Sequence, residues 1–307
     1  MDLAPELQLR ADAMAAAMSG GLTSLPLEAM RQSVETAMGV PSPVKVASVE
    51  NTAVEGQCGV IPVRIYRQVP DTPSPVLIWL HGGGFVLGTL TMGDDICRRI
   101  ASALGAVVIN VQYRLAPENR YPAALDDCLS VYLWAHGKPE VLGPVTGRVA
   151  VGGDSAGGNL TLALAQKVRD NALAPMACQL SVCGAAGAIV TNPEFGDMPF
   201  LTSEDCRWYW DQYIPDPSLR DDPYVNPASA ADVSGLPPLM AITAEFDPTR
   251  DGTEAYAHRV AATGGQATVK RYPGMTHGFF LMRDLGGARA ALSDAIAFLG
   301  DHLSAEG

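Results

Sequence analysis

The residues with the clearest chemical promise are Gly153-Asp154-Ser155-Ala156-Gly157, a GxSxG pentapeptide. An apolar run at 149–152 precedes it and a stretch of helical character at 156–169 follows it. A serine at a tight strand-to-helix turn is pushed out over the sheet on strained backbone, and small flanking residues let strand and helix approach closely enough to make that turn. The N–H groups at the start of the helix then face any negative charge that develops. This context suits nucleophilic acyl transfer. A serine hydroxyl is not ionised near neutrality, however, so it needs a base, and the base needs an orienting acid.

The chain has five histidines, at 81, 136, 258, 277 and 302. His302 falls in an expected C-terminal helix, His258 in the helix after Arg250, and His136 at a helix end, where capping carbonyls is its expected task. His277 lies in the Gly-flanked loop Pro273-Gly274-Met275-Thr276-His277-Gly278-Phe279, just past the strand-like residues 267–272. A base placed there overhangs the ends of the strands. The acid should lie between serine and histidine in the chain, after a strand. Residues 239–247 offer Glu245 and Asp247, with Asp251 next. Asp247, just past the strand and before Pro248, is the candidate and Asp251 the second choice. Glu245 is expected in or against the sheet, and Asp251 at the N-cap of the next helix.

Acyl transfer also needs donors where a tetrahedral oxygen carries charge. His81-Gly82-Gly83-Gly84-Phe85 follows an apolar run at 76–80. Its glycines leave backbone N–H groups unshielded and free to turn inward. A phosphate cradle is the competing reading, but no GK[ST] or GxGxxG pattern accompanies it. Gly83 and Gly84, with Ala156 after the nucleophile, form the candidate three-donor oxyanion hole. His81 is expected to be structural, bonding within its own loop. With His277 as base, activity is expected to rise through a step near ~6.5, where an unperturbed imidazole loses its proton.

These groups require a scaffold that ends many strands on one side. Short apolar runs at 76–80, 106–111, 149–151 and 239–243 alternate with helical stretches, including Asp94–Leu104 and 123–135. That is the βαβ alternation of an α/β fold, a mostly parallel sheet covered by helices on both faces. Residues 44–46 and 60–66 partly alternate and are expected as antiparallel edge strands, with Pro62 suiting an edge. The first forty residues read as two helices, broken at Gly20-Gly21 and ending at Gly39. Between 185 and 238 lies a long stretch rich in Pro, Asp and aromatics, too long for a slack loop. The expected organisation is N-terminal cap helices over 1–43 and a catalytic domain over 44–307, with a cap insertion at about 188–225.

Lys and Arg number 21 against 33 Asp and Glu, a net charge of −12, which disfavours nucleic acid and anionic lipid. The six cysteines form no CxxC pair and have no His at zinc-ligand spacing, so packed, reduced thiols are expected. Met1-Asp2-Leu3-Ala4-Pro5-Glu6 is acidic where a signal peptide is basic, and no apolar run approaches the ~20 residues needed to span a bilayer. A cytoplasmic protein without metal or organic cofactor is expected, acting on a small uncharged partner.

The motifs together resemble the hormone-sensitive-lipase-like branch (bacterial family IV) of the α/β-hydrolases. The resemblance rests on His81-Gly82-Gly83-Gly84-Phe85, Tyr113-Arg114-Leu115-Ala116-Pro117-Glu118, Tyr121-Pro122-Ala123-Ala124-Leu125-Asp126-Asp127 and Gly153-Asp154-Ser155-Ala156-Gly157-Gly158. It extends to Asp247-Pro248-Thr249-Arg250-Asp251 and His277-Gly278-Phe279. It implies an eight-stranded α/β-hydrolase sheet and a helical cap. It also implies a serine carboxylesterase with triad Ser155, Asp247 and His277 and oxyanion donors Gly83, Gly84 and Ala156.

The chain departs from the pattern after Gln179–Val182, where members commonly have an aromatic-Pro sequence. Here the residues are Cys183-Gly184-Ala185-Ala186-Gly187, and the adjoining pocket is expected to be open. Short- to medium-chain esters are the expected substrates. Met14, Met18, Phe200, Leu201, Trp208 and Trp210 are candidate pocket wall. An amidase or lactonase using the same triad is the nearest alternative, and a non-catalytic ligand receptor is the alternative from another class. A homodimer through the edge at 267–272 is a further expectation.

Overall fold

The apolar runs of the sequence become the centre of one eight-stranded sheet. In the computed structural model, which describes residues 3–17, 22–187, 198–214 and 216–304, the strands are β1 (Ser48–Gly56), β2 (Gly59–Arg67), β3 (Ser74–Leu80), β4 (Val107–Val111), β5 (Val145–Asp154), β6 (Gln179–Val182), β7 (Leu239–Phe246) and β8 (Ala267–Thr276). Their order is β1-β2-β4-β3-β5-β6-β7-β8. The β1–β2 and β2–β4 pairs are antiparallel and every other pair is parallel. The carboxyl ends of β3, β5, β6, β7 and β8 therefore lie along one side of the sheet, where the candidate site residues are found.

Eight α-helices surround the sheet among the described residues: α1 (Pro5–Ala17), α2 (Leu27–Met38), α3 (Asp94–Leu104), α4 (Ala123–His136), α5 (Ala156–Asp170), α6 (Ser203–Tyr213), α7 (Arg250–Ala262) and α8 (Gly286–Ser304). The central strands are apolar on both faces because both faces are covered. In β3, Val76, Ile78 and Leu80 join the core under α4, α5 and α7, where Leu125, Leu160 and Tyr256 are buried. Leu77 and Trp79 face the other way, onto Ile100 of α3 and Leu299 of α8. Each fully buried Val, Leu or Ile contributes about 1.5–3 kcal/mol relative to an exposed one. Local signals agree with this packing. In α3, Asp94 and Asp95 occupy the first turn and pair with Arg98 and Arg99 four residues on, at 2.7 and 2.6 Å. Gly105 then ends the helix in the left-handed region at φ 64°.

The antiparallel end of the sheet differs from the sequence expectation in two ways. Residues 44–46 form no strand; the outer strand is β1, beginning at Ser48. Only Val54 of β1 is buried, so this polar strand offers no apolar alternation to read. The strand at 60–66 is also not an edge, since β2 pairs with both β1 and β4. Pro62 is accommodated there because the ladder with β4 covers only Val63 to Tyr66, which places Pro62 at its margin.

Candidate active site

The turn from β5 into α5 carries Ser155 at φ 53° and ψ −118°, a left-handed conformation that side chains rarely adopt. Its neighbours explain how the turn holds. A Cβ on Gly157 would overlap the carbonyl oxygen of Leu80, and one on Gly153 would collide with Gly157, so only glycine lets β3, β5 and α5 come this close. The Ser155 N–H donates to Val182 O at 2.8 Å, fixing the turn against the end of β6.

Three strand ends converge on the serine. Ser155 Oγ lies 2.8 Å from His277 Nε2, and His277 Nδ1 lies 2.9 Å from Asp247 Oδ2. With the neutral imidazole protonated at Nδ1, the serine donates to Nε2 and Nδ1–H donates to the carboxylate. Asp247 is fully buried, and its second oxygen accepts from both the N–H and the hydroxyl of Thr249, each at 2.8 Å. Burial works against ionising Asp247, but the His277 charge and these hydrogen bonds outweigh it, and its pKa is lowered. Burial likewise works against the His277 imidazolium. The charge and hydrogen bond of Asp247, with Asp154 beyond, overcome it and raise the pKa above the ordinary 6.5. The pH step expected from an unperturbed histidine therefore moves upward.

The other candidates are placed elsewhere. Glu245 accepts from the Gly274 N–H at 2.7 Å, bridging β7 to the β8 segment. Asp251 is not an N-cap: it is the second residue of α7, 2.7 Å from Arg250, while Thr249 precedes the helix. His258 is exposed, and His302 Nδ1 bonds Phe298 O within α8 at 2.9 Å. His136, the last residue of α4, packs its ring on Tyr132.

Opposite the serine runs the glycine loop after β3. His81 is buried within it, its Nδ1 2.7 Å from Gly82 O and its ring stacked on Tyr113 at 4.4 Å. Burial pushes the His81 pKa down to about 4, so the ring is neutral and structural near pH 7. The Tyr113 hydroxyl donates to His81 O at 2.7 Å, and Arg114 beside it forks onto the buried Asp127 carboxylate, with Nη2 at 2.7 Å. The Tyr113–Glu118 motif thus braces the loop from behind, with Ala116 N–H also donating to Phe85 O at 2.9 Å, and Asp127 of the next motif holds Arg114 in place. Gly83 at φ 111°, Gly84 at φ 61° and Phe85 at φ 65° follow in succession. Gly83, Gly84, Ser155, Ala156 and His277 all line one cavity of about 600 Å³.

Phe200, Leu201 and Trp210 also line this cavity. Trp208 does not; it sits edge-on to Tyr209, which does line it. The Met14 side chain and Met18 lie outside the described residues. Ala185 borders the cavity, whereas Cys183 turns inward, 3% exposed at φ 45°. Cys183, Asp247 and His277 bring their donor atoms within 4.8 Å of one another, the one such metal-capable trio among the described residues. Both Asp247 oxygens in it are already engaged by His277 and Thr249.

Sequence reasoning overlooked three nearby groups. Thr249 and Tyr209 make contacts that only the fold creates. Asp154 had a local signal, an acid beside the nucleophile. It is buried against Gly82, and burial raises its pKa to about 7. No described helix is long and apolar enough to cross a membrane.

Comparison with known proteins places this geometry. The profile described as the alpha/beta hydrolase fold matches residues 77–281. Carboxylic ester hydrolase LipN of Mycobacterium tuberculosis is 36% identical over 275 residues, covering 86% of this chain and 73% of that protein. Ethyl acetate hydrolase of Pseudomonas putida is 36% identical over 229 residues, 72% of each. The solved structure of ester-hydrolase EH1AB1 from the metagenome of Lake Arreo, complexed with a bipyridine phosphonate derivative, is 36% identical. It superposes with a TM-score of 0.92 over 99% of this chain and 100% of that one. A strand-ending serine, its histidine and acid, and a glycine loop facing them on one eight-stranded sheet thus come with matching relatives along most of the sequence, and the chain belongs to the α/β-hydrolase family, in its hormone-sensitive-lipase-like branch.

Proposed function

We propose that the protein is a serine carboxylesterase acting on small, uncharged, short- to medium-chain esters, with Ser155 as nucleophile, His277 as base and Asp247 as orienting acid. The observation that carries this reading is the unbroken relay from Ser155 Oγ to His277 Nε2 at 2.8 Å and from His277 Nδ1 to Asp247 at 2.9 Å. His277 takes the serine proton as Oγ attacks the ester carbonyl, and Asp247 stabilises the resulting imidazolium. The tetrahedral oxyanion is received by the N–H groups of Gly83, Gly84 and Ala156. The alcohol leaves with the proton from His277, and a water activated by the same imidazole hydrolyses the acyl-enzyme.

The names of the relatives support ester rather than amide or lactone cleavage, and the complete relay speaks against a ligand receptor. A cavity of about 600 Å³ admits a short acyl group and leaves room for chains of intermediate length. A cap formed by residues 1–43 and about 188–225 is supported where those segments are described: Val34, Met38 and Val40 of the first and Phe200, Leu201, Tyr209 and Trp210 of the second line the cavity. All six cysteines are free thiols and five are buried, in keeping with a reducing, cytoplasmic setting. The outer edge of β8 is where a second copy of the chain would pair.

Hydrolysis of p-nitrophenyl esters from acetyl to dodecanoyl tests the reading, wild type beside Ser155→Ala. The expected result is turnover greatest on the shorter chains and at least ~10³-fold lower in the variant. Equal activity in the variant, or none in the wild type on any chain length, overturns it.

A further inference from the structure

The glycine loop cannot hold its shape through its own sequence alone. Gly83, Gly84 and Phe85 are three consecutive residues at positive φ, and the third is a phenylalanine, for which this conformation costs about 1 kcal/mol or more. Two turn hydrogen bonds to Gly83 O, from Val86 N at 3.1 Å and Leu87 N at 2.8 Å, close the loop on its far side. The cavity side is held by α6. A methyl group added to Gly84 would fall on ring carbons of Tyr209, so that ring lies directly against the glycine. One turn further along, Tyr213 stacks on Phe85 with ring centroids 3.9 Å apart and planes 5° from parallel, and Trp210 tilts onto the same ring at 5.1 Å.

Positions 209, 210 and 213 share one helix face, so a single element grips two adjacent residues of the loop. That element is pinned at both ends. Thr202 and Asp205 form a capping box, and Asp205 also accepts from the Thr23 hydroxyl at 2.8 Å. At the other end Tyr213 O accepts from the Tyr121 N–H at 3.0 Å, and the two rings meet edge-on.

We propose that this aromatic face of α6 is a clamp that positions the oxyanion donors, with Tyr209 as the positioning residue for Gly84. The inference rests on the oxyanion role given to Gly83 and Gly84 above. It deepens that role by making α6 a determinant of rate as well as pocket wall. An acyl group bulky enough to lift Tyr209 from Gly84 is then bound but turned over slowly, and size selection is expressed in kcat.

Tyr209→Ala, Tyr209→Leu and Tyr209→Phe test the clamp on p-nitrophenyl acetate, each with a thermal unfolding curve. A trifluoromethyl ketone, whose adduct with a serine carries the oxyanion charge, is titrated against each variant. Tyr209→Ala is expected to lose ~10-fold or more in kcat, part of the ~10²–10³ that a missing donor costs, with KM changed less than ~3-fold and trifluoromethyl ketone affinity falling with kcat. Tyr209→Phe should restore most of the loss, because ring carbons make the contact. Tyr209→Leu keeps apolar bulk without a flat ring and carries the same expectation as Ala should the Ala variant fail to fold. Unchanged kcat in both Ala and Leu variants, a loss confined to KM, an unaltered trifluoromethyl ketone affinity, or a Phe variant no better than Ala overturns the clamp. Ser155→Ala separates the two levels: if it remains active, the esterase reading falls and the clamp with it. If it is dead while Tyr209→Ala keeps its kcat, only the clamp falls.

Discussion

At the scale of single residues, the decisive contest is over the proton on His277. Its burial disfavours the imidazolium, yet Asp247 in contact and Asp154 nearby hold the pKa above 6.5. In the proposed mechanism the base must be neutral to accept the serine proton, so activity is expected to appear as pH rises through the raised value and to be lost as pH falls below it. The expected profile of kcat/KM between pH 5 and 9 therefore has its midpoint above 6.5, measured on an ester whose chemistry limits the rate. Asp154, pushed up to about 7 by burial, titrates over a neighbouring interval, and in Asp154→Asn the midpoint should move to lower pH because one negative neighbour of the imidazole is gone. A wild-type midpoint at or below 6.5, or no step at all, would contradict His277 as base. That Ser155 and His277 meet was readable from their local surroundings, an elbow sequence and a Gly-flanked loop. The donor from Thr249 to Asp247 was not, because Thr249 reads as an ordinary helix-start residue until the fold shows which carboxylate oxygen needs a partner.

At the scale of elements, legibility followed burial. The central strands were visible because coverage on both faces leaves continuous apolar runs, and α3 because its acidic start, its i,i+4 ion pairs and its terminal glycine agree. The outer strand β1 has one buried residue and no pattern to betray it. Helix α6 is hidden within a long aromatic stretch, although two signals mark it. Thr202 and Asp205 have capping-box spacing, and the buried Cys206, Trp210 and Tyr213 recur at helical intervals. The junction of β3, β5 and α5 yields a sharper expectation. Gly157→Ala sets a methyl group into the Leu80 carbonyl, a backbone atom that cannot step aside, so the variant should lose about 3 kcal/mol or more in urea unfolding. A loss under about 1 kcal/mol would show that the elbow tolerates wider spacing than its geometry implies.

At the scale of the whole molecule, the sheet has two ends of different character. The β1 end is an antiparallel hairpin, while β8 ends the parallel side with one neighbour only. Its charged residues are already balanced within the chain, Lys270 with Asp294 at 2.9 Å and Arg271 with Glu254 at 2.9 Å. Two copies meeting there need not bring unpaired like charges together. Sedimentation at micromolar concentration should return twice the mass of one chain, and a single-chain mass would reject pairing through β8.

The left-handed backbone at Ser155 has a consequence for the durability of the molecule. A conformation natural to glycine but imposed on serine costs about 1–2 kcal/mol, a sizeable share of the margin by which a folded chain outlasts heat. Glycine at this one position would relax the turn and, in the proposed mechanism, remove the nucleophile in the same stroke. The protein is thus built to be somewhat more perishable than its own inert twin.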